Sequence, residues 1–130
     1  MNQSAESIRK IAEDVYQSLG SGFSEEVYDR AMQVGLRLEG FKYESQKVIE
    51  LKYRDHAVGE GYPDLLVHID KKKKVVVELK AVASKMGACE VQQLRNYMKL
   101  LGVQWGLLIN FQMPGRKDGK TELEIREVES

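Results

Sequence analysis

The sequence predicts a three-layer α/β sandwich, a central mixed β-sheet flanked by helices. Three observations carry that expectation. Two amphipathic helical patterns open the chain, two nearly continuous apolar runs follow (Leu65-Leu66-Val67 and Val75-Val76-Val77), and a third helical pattern separates these from another apolar run, Trp105 to Ile109. Apolar strands without alternation are buried on both faces, so helices must cover each side of the sheet. The expected order is αα-βββ-α-β-β. With 130 residues, two prolines and no repeat or Pro/Gly/Ser linker, the chain reads as a single domain, residues 1–130.

Taken in order, Ser4 to Leu19 places Ile8, Ile11, Ala12, Val15, Tyr16 and Leu19 on one stripe, with Ser4 or Ser7 as the cap and Gly20-Ser21-Gly22 as the stop. Ser24 opens a second helix, with Glu25 and Glu26 in its positively polarised first turn, and Gly40 ends it. Val27, Ala31, Val34 and Leu38 are its expected inward face. The period then changes. Phe41 to Arg54 reads as extended, Arg54-Asp55-His56 as a turn, and Tyr62–Ile69 and Val75–Leu79 as strands around Asp70 to Lys73. Gly87 to Leu101 reads as a third helix with Val91, Leu94, Met98 and Leu101 inward, closed by Gly102. Gln104 to Phe111 is an apolar strand with Trp105 in the core, Met113 to Lys120 a polar loop, and Glu122 to Val128 an edge strand.

Composition limits function. Twenty Lys and Arg balance twenty Asp and Glu, which argues against coating nucleic acid by charge alone but leaves room for a local basic groove. One cysteine, Cys89, excludes an internal disulfide and a multi-cysteine zinc site. No window approaches the roughly 20 apolar residues of a membrane span. The first seven residues carry no apolar stretch like that of a signal peptide, so a cytoplasmic location is the expectation.

The segment richest in chemistry is Pro63-Asp64, followed by Glu78-Leu79-Lys80. If the hairpin turn is centred near Lys71, Asp64 faces Glu78, Leu66 faces Val76 and His68 faces Lys74. Opposed residues lie about 4.5–5.5 Å apart at Cβ, so two like charges there repel unless a cation joins them or one is protonated. Lys80 lies two residues beyond Glu78 and points to the same face. Two carboxylates and a backbone carbonyl, such as that of Leu79, are oxygen ligands suited to Mg²⁺. The Lys80 ammonium could hold or deprotonate an attacking water, or stabilise developing phosphorane charge. The plainer alternative is a salt-bridge cluster at a strand end.

Two helical signals join these. Gly22-x-x-Glu25-x-x-Tyr28 opens the second helix, with Glu25 and Tyr28 on a shared face. In the third helix Gln93 and Tyr97 are four apart and share a face, with Glu90 one turn earlier. Together with Pro63-Asp64, Glu78-Leu79-Lys80-Ala81-Val82 and the closing Leu107-Leu108-Ile109-Asn110-Phe111, they resemble the GxxExxY family, a branch of the PD-(D/E)xK nuclease-like superfamily, from about Leu19 to Phe111.

That resemblance implies a restriction-endonuclease-like core and Mg²⁺- or Mn²⁺-dependent cleavage of DNA phosphodiesters. It implies Asp64 and Glu78 as metal ligands, Lys80 as the catalytic lysine, and Glu25 as the helical glutamate that completes the acidic site. Gln93 and Tyr97 match the QxxxY signature of the branch that includes helicase-associated nucleases, where they support the site or the DNA. Tyr28 belongs to the same supporting set. No core motif position is missing, which favours an intact site. Nucleic acid is the implied partner, and a homodimer or a larger helicase–nuclease assembly would extend so small a binding surface. The alternative reading is a non-cleaving nucleic-acid or protein-interaction module that keeps the fold.

The remaining candidates read as structural or peripheral. Lys71 to Lys74 lie about 23 Å from Asp64 along the strand and read as a solvated turn that blocks aggregation. Lys85, Arg95 and Lys99 are better placed for phosphates, and Arg116, Lys117 and Lys120 could add to a DNA surface. His56 and His68 read as solvent-side residues, and Cys89 as a packed thiol rather than a nucleophile.

Overall fold

The computed structural model describes residues 3–115, 118–119 and 121–130. Helices α1 (Gln3–Leu19) and α2 (Glu25–Leu38) precede strands β1 (Lys42–Ser45), β2 (Ile49–Tyr53), β3 (His56–Gly61), β4 (Leu65–His68) and β5 (Lys74–Lys80). Helix α3 (Ala88–Leu101), β6 (Trp105–Phe111) and β7 (Leu123–Glu129) follow. Five strands form one sheet in the order β1-β4-β5-β6-β7, antiparallel except for the β5–β6 pair. A parallel pair needs a crossover, and α3 supplies it. No described helix is long and apolar enough to cross a membrane.

The three layers follow from strand alternation. Leu65, Val67, Val75, Val77, Leu79, Leu107, Ile109 and Phe111 meet α1 and α2 on one face. Leu66, Val76 and Leu108 meet Leu94 and Met98 of α3 on the other. Each strand presents apolar side chains both ways, which is why the runs do not alternate. Gly106 allows α3 to lie close to the sheet. A Cβ there would stand 2.6 Å from Met98 Sδ and 3.0 Å from Leu94 Cδ2, both wholly buried side chains. Gly106→Ala is therefore expected to cost about 1–3 kcal/mol by overpacking, read as a lowered midpoint in urea denaturation.

Several local expectations need correction. The order before α3 is five strands, not three. Phe41–Arg54 is broken at Gln46, whose φ is 50°, into β1 and β2. Arg54 and Asp55, at φ 48° and 66°, make a two-residue turn with both central residues left-handed, and β3 returns along β2. This β2–β3 hairpin is a separate two-stranded sheet, exposed except at buried Ile49 and Gly61 and half-buried Leu51.

The inward face of α2 is Tyr28, Asp29, Met32 and Leu36. Val27, Val34 and Leu38 are exposed instead, because the ring of Tyr28 stacks on Phe111 at 4.5 Å and sets the helix's rotation. Helix α1 starts at Gln3, so Ser7 lies within it and caps nothing; the Ser4 side chain lies outside the described residues. Ser24 occupies the α2 cap position with extended backbone but makes no side-chain cap bond. Cys89 is exposed, not packed. Trp105 is only partly buried. His68 is half-buried, and its Nε2 lies 3.1 Å from Glu44 Oε2. The lysines of the β4–β5 turn are exposed, as expected; Asp70 Oδ1 accepts the Lys72 and Lys73 N–H groups at 2.7 and 2.8 Å and shapes that turn. Arg116, Lys117 and Lys120 lie outside the described residues.

Candidate active site

The expected register is the observed one: Leu65 pairs with Val77, Leu66 with Val76 and His68 with Lys74. One step beyond the ladder, Asp64 and Glu78 lock together through each other's backbone. The Asp64 N–H donates to Glu78 Oε1 at 2.8 Å, and the Leu79 N–H donates to Asp64 Oδ2 at 2.7 Å. The Asp64 carbonyl also accepts the Gln46 N–H at 3.0 Å, so the break between β1 and β2 helps to fix the aspartate. Buried Pro63, which lacks an N–H, precedes it where the ladder ends. Glu78 and Lys80 alternate with Leu79, so they share the sheet face of Val76, toward α3.

Each carboxylate spends one oxygen on a backbone donor. Among the described residues, neither Asp64 Oδ1 nor Glu78 Oε2 has a hydrogen-bond partner. Burial pushes the Asp64 carboxyl up to about 6; the Leu79 N–H opposes this, the charges of Glu25 and Asp29 add to it, and Lys80 opposes it. Burial also pushes Glu78 up to about 8, with Asp64 the next largest cause and Lys80 opposing. Glu25, on the solvent-facing first turn of α2, is raised by partial desolvation and by Asp29, and drawn back by Lys80. The charges of Glu25, Asp29 and Asp64 thus add to one another's effect while Lys80 opposes the rise of Asp64, Glu78 and Glu25, an excess of negative charge that a bound cation would neutralise.

Asp29 is the member that sequence reasoning missed. It lies four residues beyond Glu25, is buried, and accepts Gln33 Nε2 at 2.8 Å. That spacing on one helix face was the available signal. The donor set suits a hard divalent cation, since it is all oxygen with two carboxylates already held. Among the described residues no three Asp, Glu, His or Cys side chains already converge as a closed ion cage. Asp64 and Glu78 are brought together, whereas Glu25 joins them through charge across the gap between α2 and the sheet.

The supporting residues divide into two kinds. Tyr28 is wholly buried, so it cannot touch a substrate. Its hydroxyl donates to the Gly20 carbonyl at 2.6 Å and accepts the Phe23 N–H at 3.4 Å, which pins the loop leading to Glu25. Gln93 and Tyr97 share a face of α3, and Gln93 Nε2 donates to the Tyr97 hydroxyl at 3.3 Å. The Tyr97 ring lies where a Cβ on Gly61 would be, 2.6 Å from its Cε1, and so braces the segment that delivers Asp64. Glu90 lies close enough to Lys80 and Arg126 for their charges to lower its carboxyl, although its bond from the Gly87 N–H is the larger cause.

One solved structure shares this architecture. The crystal structure of SSO0001 superposes with a TM-score of 0.59 at 19% sequence identity, over 80% of this chain and 50% of its own. The chain therefore spans half the length of that protein, and the likeness is one of fold. The Holliday junction resolvase Hjc of Archaeoglobus fulgidus superposes with a TM-score of 0.45 at 16% identity, over 78% of this chain and 73% of its own. No curated protein matches the sequence. The model of the PD-(D/E)XK nuclease superfamily matches residues 2–123, and the chain belongs to that superfamily.

Proposed function

We propose that this chain is a divalent-metal-dependent nuclease that hydrolyses DNA phosphodiester bonds, of the GxxExxY branch, with residues 1–130 as one catalytic domain. The observation that carries this reading is the reciprocal Asp64–Glu78 lock, which holds a half-buried and a buried carboxylate side by side at the end of β5 that carries Lys80. Two acids held that close repel when both are ionised, so the pair either keeps a proton or takes up a cation, and both raised carboxyls accord with the first state before the ion binds.

Asp64 and Glu78 are the residues that would hold Mg²⁺ or Mn²⁺, with the Leu79 carbonyl and Glu25 completing the set. The ion, when bound, supplies Lewis-acid charge at the phosphate. Lys80 orients the attacking water and donates a hydrogen bond to the oxygen that gains charge. Glu25 marks the side of the site opened by the start of α2. Gln93 and Tyr97 support the Asp64 segment and flank the path of the nucleic acid. Because the chain is small and carries no net charge, a second copy or a helicase partner would supply further DNA-binding surface.

The test is cleavage of supercoiled plasmid and of labelled linear and branched duplexes by the purified chain. Breakage with Mg²⁺ or Mn²⁺ and none with excess EDTA is the expected result. DNA binding indifferent both to the ion and to Asp64→Ala, with no breakage on any of these substrates, would leave the non-cleaving module as the correct reading.

A further inference from the structure

We infer that Asn110 is a positioning residue for Lys80, acting as a side-chain extension of the sheet where the backbone ladder stops. This inference rests on the nuclease reading above. Asn110 is wholly buried and is the register partner of Lys80 in the parallel β5–β6 pair. After Lys80 the chain leaves the sheet, and its backbone groups lose their strand partners. The Asn110 amide takes their place. Its Oδ1 accepts the Val82 N–H at 3.1 Å, and its Nδ2 donates to the Val82 carbonyl at 3.3 Å and to the Ser84 carbonyl at 3.1 Å.

An amide has the donor and acceptor of a peptide unit, so one side chain holds both polar groups of Val82 as a neighbouring strand would. The Met113 N–H adds a second bond to the Val82 carbonyl at 3.3 Å. Glu124, the register partner of Asn110 on β7, completes the row. Its Oε1 lies 3.3 Å from Asn110 Nδ2 and accepts the Met86 N–H at 3.1 Å. Arg126 donates to the Met86 carbonyl at 3.1 Å. The segment from Lys80 to the start of α3 is thus clamped at Val82, Ser84 and Met86. The clamp fixes the direction in which Lys80 leaves β5 and seats the helix that carries Glu90, Gln93 and Tyr97.

A buried amide that gives three of its four bonds to one short segment is more than a core filler. Valine at this position would fill similar space and leave the Val82 and Ser84 groups without a partner. A misplacement of about 1 Å at a reacting group can cost on the order of 100-fold in rate. Asn110→Ala is therefore expected to lower kcat about 10- to 100-fold with KM unchanged, well below the melting temperature of the variant. Backbone ¹⁵N order parameters at residues 80–84 should fall from about 0.85 toward 0.6. Asn110→Ser keeps one polar group on a shorter arm without placing a charge against Glu124, so its kcat should lie between those of wild type and Asn110→Ala; it also serves if the alanine variant does not fold.

Unchanged kcat in a folded variant, or order parameters at 80–84 equal to those of wild type, would overturn the assignment. If the wild-type chain cleaves nothing, the nuclease reading has failed. The order parameters then still decide whether Asn110 holds this segment.

Discussion

If the chain is the nuclease proposed above, Lys80→Ala is expected to lower the rate of DNA cleavage by about 10²–10⁴-fold while leaving a folded protein, because on that reading the ammonium acts on charge that develops only as the phosphodiester breaks. Lys80 is half-buried and makes no hydrogen bond within the described core, so its removal leaves no buried backbone group unpaired. Its loss does remove the positive charge that opposes the rise of Asp64 and Glu78. The apoprotein should therefore hold its protons more tightly, and cleavage should not recover at neutral pH.

Asp64→Ala should abolish cleavage too, but it also leaves the Leu79 N–H unpartnered. Asp64→Asn keeps an acceptor there and separates loss of chemistry from loss of fold. Single-turnover cleavage assays beside circular dichroism distinguish the two. Lys80→Ala or Asp64→Asn cleaving at the wild-type rate would remove these residues from the reaction.

The second large effect is on stability against pH. Asp64 rises from 3.8 to about 6 and Glu78 from 4.5 to about 8 on folding, chiefly through burial, with Glu25 and Asp29 adding for Asp64 and Asp64 adding for Glu78. The folded chain then binds more protons than the unfolded chain between about pH 4 and 8, so stability must fall as pH rises through that window. Below it both states are protonated and the contribution is complete. In EDTA the loss should be on the order of a few kcal/mol between pH 5 and 8.5, in urea denaturation. Glu44, Asp70 and Glu90 are lowered and work the other way, but their window lies on the acid side of the ordinary carboxylate values. Glu78→Gln should flatten the alkaline decline. Mn²⁺ should restore stability more at pH 8 than at pH 5, since an ion binds the ionised pair. A stability that rises between pH 5 and 8 in EDTA would show that the two acids are not desolvated together.

The centre of the molecule was legible because its signals are local and strong. Two unbroken apolar runs flanking Asp70 to Lys73 allow one hairpin register, and that register alone places Asp64 opposite Glu78. Helix α2 was harder, since Val27, Ala31, Val34 and Leu38 make as good a stripe as Tyr28, Met32 and Leu36. What chooses between them is the stacking of Tyr28 on Phe111, a contact across most of the chain. The turn at Arg54 to His56 was legible, but the strand that returns from it was not, because Ala57 to Gly61 offers a single large apolar residue, the exposed Val58, beside two glycines. Asp29 and Asn110 have no motif of their own. Each gains its place from the way two distant segments pack.

The β2–β3 pair has a final consequence for how the molecule breathes. A lone two-stranded ribbon is marginally stable in water, so this one should open and reclose as its own unit, far more often than the five-stranded body melts. Such fraying need not disturb the acids, because Tyr97 grips the ribbon's root at Gly61 and Asp64 is anchored independently to Gln46 and Leu79. The chain can thus carry a restless appendage three residues from its most exacting carboxylate.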